Sequence, residues 1–289
     1  MAIAVAVGLA VAPAAAGAQP VTVKRAIVYG EGQVRAPSPG GFDLLMDLYR
    51  PASSGAARRP KRLRPAMVLI HGGGFSGGTR GQPDFDVLAR RLARNGVVVA
   101  NIDYRLISQD AVPSRRVREL SRAVPDVPVF NAMVAAVDDT LTAFDWLRER
   151  AGKLRIDMRH LGIAGGSAGA ITAVHVAYAL DEFGIEAPRL SVVGDLWGGI
   201  FFDVGSNGRQ LEKGDAPLFA VHGDADPTVP VALDDRLVAR ARRVGVPVEY
   251  HRVPDAGHGF GGTGFFTREV RPGETAFDRM VAFFLRRLR

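Results

Sequence analysis

The sequence predicts an α/β fold, a mostly parallel central sheet with helices on both faces, as a single domain over residues 19–289. Two patterns carry this reading. Short continuous apolar runs such as Ala66–Ile70 recur along the chain, as strands buried on both faces do. Segments with apolar residues at helical spacing alternate with them, which implies strand–helix units stacked into a parallel sheet. Composition agrees, since 47% hydrophobic and 23% charged residues over a length of 289 are ordinary for a globular chain with a sizeable core.

Taken in order, Thr22–Tyr29 and Phe42–Tyr49 read as strands. In the second, Phe42, Leu44, Met46 and Leu48 alternate with other residues, as on a half-buried strand. Ala66–Ile70 is the first fully buried strand and runs into His71-Gly72-Gly73-Gly74. Phe85–Asn95 has helical spacing through Phe85, Leu88 and Leu92 and stops at Gly96, a helix-ending residue. Val97–Ile102 is the next strand. Residues 105–130 break the rhythm with three prolines, five arginines counted from Arg105, and no long apolar run. They read as an insertion over the strand ends, where a lid or substrate-selecting loop would sit. Ala132–Arg150 is an amphipathic helix with Val134, Val137, Leu141, Phe144 and Leu147 on one face. Leu161–Ala164 is a strand and Ala168–Leu180 the helix behind it. Leu190–Leu196, Pro217–His222 and Val248–Val253 are further strands, with helices over Leu233–Val244 and Thr275–Leu288.

Residues 1–18 stand apart. Ala2–Pro13 is almost wholly apolar, and Ala16-Gly17-Ala18 precedes Gln19. This is the layout of a secretory signal with an A-x-A cleavage site, although no Lys or Arg precedes the apolar run. The run is too short for a comfortable transmembrane helix. The expectation is a periplasmic or secreted protein with no stable membrane insertion once the leader is removed. The absence of cysteine excludes disulfides and thiol catalysis. Net charge is +7, and only Lys24, Lys61, Lys153 and Lys213 of the 37 basic residues are not arginine. The densest basic run, Arg58–Arg64, lies between two strands and reads as a solvated hairpin loop. No nucleic-acid-binding pattern appears, and no histidine pair has metal-ligand spacing, so neither a nucleic-acid partner nor a metal or other cofactor is expected.

The most informative stretch is Gly165-Gly166-Ser167-Ala168-Gly169, a G-x-S-x-G pattern between a short apolar run and an alanine-rich helical segment. Such a strand–turn–helix context forces a serine onto a sharp turn with its hydroxyl exposed. A serine hydroxyl is a weak nucleophile that needs a base, and the base needs an orienting acid. Two later loops, each following a strand, offer them: His222-Gly223-Asp224-Ala225-Asp226-Pro227 and Asp255-Ala256-Gly257-His258. The order is then Ser167, Asp226, His258, with Asp224 the alternative acid and Asp195 a more distant one.

With His71-Gly72-Gly73-Gly74 upstream, these motifs resemble the α/β-hydrolase superfamily, above all the bacterial carboxylesterases and hormone-sensitive-lipase-like esterases. The resemblance covers about residues 42–289. It implies that Ser167 attacks a carbonyl, that His258 is base and then acid, and that Asp226 holds the imidazole. It places the oxyanion donors at the N–H groups of Gly73, Gly74 and Ala168. Phe75 and Trp197 are candidates to line the substrate pocket, each with core packing as the alternative. His71 and His222 read as braces of their loops, and Asp103-Tyr104-Arg105 as a structural brace. The implied substrate is a small-molecule or polymeric ester. A serine peptidase, or an exported depolymerase using the 105–130 insertion as its track, stays open, as does a non-catalytic binding protein.

Overall fold

Alternate side chains of the strand Arg64–Ile70 enter two separate cores. Ala66, Val68 and Ile70 go to one, Met67 and Leu69 to the other, as the two-residue period of a strand requires when both faces are covered. In this computed structural model, which describes residues 20–52, 62–200, 211–261 and 264–289, a nine-stranded sheet separates the two layers. The expected leader (1–18), the start of the basic loop (Arg58–Lys61) and the aromatic pair Phe201-Phe202 lie outside the described residues.

The first half of the chain forms β1 (Val21–Val34), β2 (Gly40–Pro51), β3 (Arg64–Ile70), α1 (Pro83–Arg94), β4 (Val98–Ile102), β5 (Ala111–Val112), α2 (Arg118–Ala123) and α3 (Pro128–Glu149). There follow α4 (Ala151–Leu154), β6 (Ile156–Gly166), α5 (Ala168–Tyr178), β7 (Val192–Leu196), β8 (Leu218–Gly223), α6 (Ala232–Val244) and β9 (Val248–Val253). The last described elements are α7 (Gly264–Thr267), the short ribbon β10 (Glu269–Arg271) with β11 (Glu274–Thr275), and α8 (Ala276–Arg287). The sheet order is β5-β1-β2-β4-β3-β6-β7-β8-β9. Strands β5, β1, β2 and β4 pair antiparallel, and from β4 to β9 every neighbour is parallel. Parallel neighbours need crossover connections, and the helices supply them while covering both faces. Leu88 and Leu92 of α1 join Met280 and Phe284 of α8 in one core; Val134 of α3, Val174 of α5 and Leu237 of α6 join the other.

The expected strands and helices all form, with β1 five residues longer at its end than Tyr29. Its extension carries Gly30 and Gly32, weak strand formers. Glycine is needed there for packing: a Cβ on Gly32 would lie 2.5 Å from Arg105 Nε.

Residues 105–130 do interrupt the strand–helix rhythm between β4 and α3, but the lid expectation is corrected. Their strand β5 extends the sheet edge against β1, and no residue of 105–130 is among the described residues lining the cleft at Ser167. The reason is electrostatic. Arg105 is 1% exposed, and its guanidinium donates to Asp139 (Nη2–Oδ1 2.7 Å) and to the carbonyls of Gln33 and Val112 (both 2.9 Å). Its Nη2 also lies 3.3 Å from Asp138 Oδ2, and Asp138 accepts from Ser114 N–H and Oγ–H. A buried cation must be paired, and pairing this one pins the segment to β1 and α3. Burial pushes the Asp139 carboxyl up to about 6 even with Arg105 opposing it. Arg105→Leu would leave two adjacent carboxylates buried without their cation, and is expected to lower the unfolding free energy by about 3–5 kcal/mol. Urea unfolding measures this; a loss below about 1 kcal/mol, the scale of an exposed ion pair, would contradict the assignment.

Candidate active site

Ser167 sits at the corner between β6 and α5 with φ 53° and ψ −121°, a left-handed conformation that costs a non-glycine residue on the order of 1–3 kcal/mol. Its neighbours hold it there. The Ser167 N–H donates to the Leu196 carbonyl at 2.9 Å, and its carbonyl accepts from Ile171 N–H at 2.9 Å. The turn is also too tight for side chains. A Cβ on Gly169 would stand 2.2 Å from the Ile70 carbonyl oxygen, and one on Gly165 would stand 2.2 Å from Gly169 itself. The small residues of the G-x-S-x-G pattern therefore follow from contact between α5, β6 and the end of β3.

The loops after β8 and β9 bring the other two groups. His258 Nε2 is 2.9 Å from Ser167 Oγ, and its Nδ1 is 2.7 Å from Asp226 Oδ2. The other oxygen of Asp226 accepts from Thr228 N–H at 2.8 Å and Val229 N–H at 3.0 Å. Burial pushes the Asp226 carboxyl up, but Val229 N–H, His258 and Thr228 N–H outweigh it and hold it below its ordinary value. It is thus an anion at neutral pH, able to fix the imidazole. Asp224, the alternative acid, instead accepts from Asp255 N–H at 2.8 Å and does not meet His258. Asp195, fully buried, accepts from Gly198 and Gly199 N–H.

The glycine loop after β3 faces Ser167. Gly73 has φ 128° and Gly74 φ 60°, and a Cβ on Gly73 would fall 2.1 Å from the Gly77 carbonyl oxygen. Gly73 O accepts from Ser76 and Gly77 N–H, closing the loop on itself. Ala168 is the first residue of α5, where an N–H has no partner within the helix and the helix dipole is positive. No protein acceptor meets the N–H groups of Gly73, Gly74 or Ala168 among the described residues. The loop is braced from behind by His71, whose ring stacks on Tyr104 at 4.4 Å and whose Nδ1–H donates to Gly72 O at 2.7 Å. Burial lowers the His71 pKa, which favours this neutral donor. Asp103 accepts from Arg80 N–H and forms a short ion pair with its guanidinium.

A cleft of about 370 Å³ opens over Ser167, lined by Gly72–Gly74, Gln82, Asp84, Phe85, Gly166, Trp197, Thr228 and His258. Trp197 is one wall of it, its ring edge-on to His258 at 6.5 Å and to Phe260 and Phe265 at 5.3 Å. Phe75 is corrected: it does not line the cleft but turns into the core, edge-on to Tyr104 at 6.1 Å, while its carbonyl accepts from Ile107 N–H. Its φ of 60° points the side chain away from the glycine loop. Gln82, Asp84, Phe85 and Thr228 escaped the sequence reading. Phe85 shows there as a core position of α1, and nothing in the spacing marks the start of α1 as a cleft wall.

Three family models match separate segments of the chain. Residues 43–108 match the carboxylesterase family, residues 131–199 the alpha/beta hydrolase fold, and residues 200–289 the prolyl oligopeptidase family. Among individual relatives, an ethyl acetate hydrolase of Pseudomonas putida is 32% identical over 53% of this chain and 40% of its own length. Esterase LipC of Mycobacterium tuberculosis is 24% identical over 91% of this chain and 64% of its own. The chain thus spans 40% and 64% of these two relatives. The solved structure of a thermophilic esterase from Thermogutta terrifontis superposes with a TM-score of 0.63 at 20% identity, covering 93% of this chain and 92% of that one. That likeness is one of fold.

Proposed function

We propose that this chain, which has the fold of the α/β-hydrolases and matches the carboxylesterase family over residues 43–108, is a serine esterase that hydrolyses small carboxylic esters through Ser167, His258 and Asp226. The observation that carries the reading is the continuous contact from Ser167 Oγ to His258 Nε2 (2.9 Å) and from His258 Nδ1 to Asp226 Oδ2 (2.7 Å). Nucleophile, base and orienting acid stand in hydrogen-bond reach of one another. The names of the relatives point the same way.

The reaction follows from the geometry. Ser167 Oγ attacks the ester carbonyl carbon while His258 Nε2 takes its proton. The carbonyl oxygen becomes an anion facing the N–H groups of Gly73, Gly74 and Ala168; each such donor contributes about 2.7–4 kcal/mol to the transition state. His258 returns the proton to the departing alkoxide, leaving the acyl group on Ser167. A water then attacks the acyl carbon as His258 takes its proton, and His258 gives that proton to Ser167 Oγ as the carboxylic acid departs. Asp226 remains an anion throughout and stabilises the imidazolium. A cleft of about 370 Å³ is at the small end for ligand sites and favours short esters.

Amide hydrolysis is the second reading, supported by the match of residues 200–289 to the prolyl oligopeptidase family. The depolymerase reading loses its support, because the arginine-bearing insertion lies away from the cleft among the described residues. The apolar stretch Ala2–Pro13 and Ala16-Gly17-Ala18 support export to the periplasm or medium. N-terminal sequencing of cell-fractionated protein is expected to begin at Gln19, and a retained Met1 or Ala2 would count against it.

Activity is tested with p-nitrophenyl acetate, butyrate and laurate beside p-nitroanilides. Acetate and butyrate should turn over fastest and anilides little. Ser167→Ala should lose roughly a million-fold in kcat, and Asp226→Asn about 10⁴-fold with its fold intact. Faster anilide than ester turnover would favour the peptidase, and full activity in Ser167→Ala would exclude both.

A further inference from the structure

The cleft at Ser167 carries one charge that the proposed reaction leaves unused. Among its described lining residues, His258 serves the nucleophile, and Asp84, in the first turn of α1, is the remaining ionisable side chain. The other walls are the glycines, Gln82, Thr228 and two aromatic side chains, Phe85 and Trp197. The two rings converge beside the nucleophile. A Cβ on Gly166, next to Ser167, would stand 3.3 Å from Phe85 Cζ and 3.4 Å from Trp197 Cζ2.

Asp84 differs from the other acids at this end of α1 in having no cation. Asp86, two residues on, accepts from Arg90 Nε at 2.6 Å, Arg25 Nη2 at 2.9 Å and Tyr49 Oη at 2.7 Å. Arg80 is paired with Asp47 and Asp103. Arg25, Arg80 and Arg90 are thus engaged elsewhere. Asp84 is half-buried, and its carboxyl is pushed above its ordinary value by burial alone, with no charge or donor among the described residues opposing the shift. A carboxylate held this way gains when a ligand brings the opposite charge.

Resting on the reading of Ser167 as an esterase nucleophile, we propose that Asp84 is a specificity-determining residue and that the cleft selects esters carrying a cationic nitrogen. The carboxylate attracts the cation, and aromatic rings such as Phe85 and Trp197 favour one over their faces. Asp84 stands on α1, whereas the donors for the carbonyl oxygen stand on the glycine loop and α5, so one ester can use both. A carboxylate in the first turn also favours α1 through the helix dipole, but that role affects stability and not the choice between substrates.

Two pairs of esters separate these roles, each pair differing only in a trimethylammonium group against its neutral tert-butyl isostere. One pair carries the group in the acyl chain, as p-nitrophenyl esters of γ-butyrobetaine and its carbon analogue. The other carries it in the alcohol, as acetates of choline and its carbon analogue. Within a pair, the ratio of kcat/KM values cancels any general loss of activity or of folded protein. In the full chain, the cationic-to-neutral ratio is expected to fall about tenfold from wild type to Asp84→Asn in at least one pair, more than for a fully exposed ion pair because the site is half-buried. A ratio unchanged in both pairs overturns the proposal. Binding read without turnover keeps the test independent of the esterase reading. In Ser167→Ala, Trp197 fluorescence reports occupancy of the cleft, and adding Asp84→Asn should weaken the cationic ester relative to its isostere. Absence of any ester turnover by wild type would count against the esterase reading alone, while a Kd ratio unmoved by Asp84→Asn in both pairs overturns the charge selection.

Discussion

The turn from β6 into α5 passes so close to the end of β3 that only glycine fits at Gly165 and Gly169, and this contact leaves Ser167 at a φ of 53°. Every later feature of the site is set by that approach. It lifts the hydroxyl clear of the backbone and starts α5 at Ala168, whose N–H points out of the helix. It also sets the glycine loop opposite, because a Cβ on Gly72 would meet the Gly166 carbonyl oxygen at 2.9 Å. The glycine loop and the start of α5 thereby meet beside one hydroxyl. The strain at Ser167, on the order of 1–3 kcal/mol, is sustained by the buried layers on both sides of the parallel sheet.

Burial acts on the acids of this site in one direction, and hydrogen bonds decide which of them resist it. Asp226 accepts from two backbone N–H groups and the His258 imidazole and stays below its ordinary value. Asp234 and Asp195, deeper and closer to each other, are pushed up instead. Hydrogen bonds to a charged group are each worth about 1.5–3 kcal/mol, enough for several donors to outweigh partial desolvation. The anion is therefore kept beside His258, while the acids behind it favour their protonated form. The Arg105 cluster follows the same logic for a structural end: one buried cation ties β1, β5 and α3 together.

Much of this was legible in the sequence because it depends on local rules. Continuous apolar runs mark strands covered on both faces, and G-x-S-x-G marks a turn that only small residues can make. The order Ser167, Asp226, His258 needs only the alternation of strands and loops. What was not legible depends on where elements meet. Phe75 follows the glycine triplet, yet its backbone turns the ring toward Tyr104. Phe85 reads as the start of a helix, yet with Asp84 it becomes a wall of the cleft at Ser167. The insertion at 105–130 reads as a cover from its prolines and arginines, but Arg105 finds its carboxylates on α3, thirty-odd residues on, and fastens the segment to the sheet edge. Pairings across that separation leave no local pattern.

In the proposed reaction Ser167 carries the acyl group between two steps. Rapid quenching of the wild-type chain with p-nitrophenyl acetate, followed by peptide mass spectrometry, tests it directly. One acetyl group is expected on the peptide containing Ser167, appearing with a burst of p-nitrophenol and decaying with turnover. Ester hydrolysis with an acetyl group on another residue, or with no acylated peptide and no burst, would contradict it.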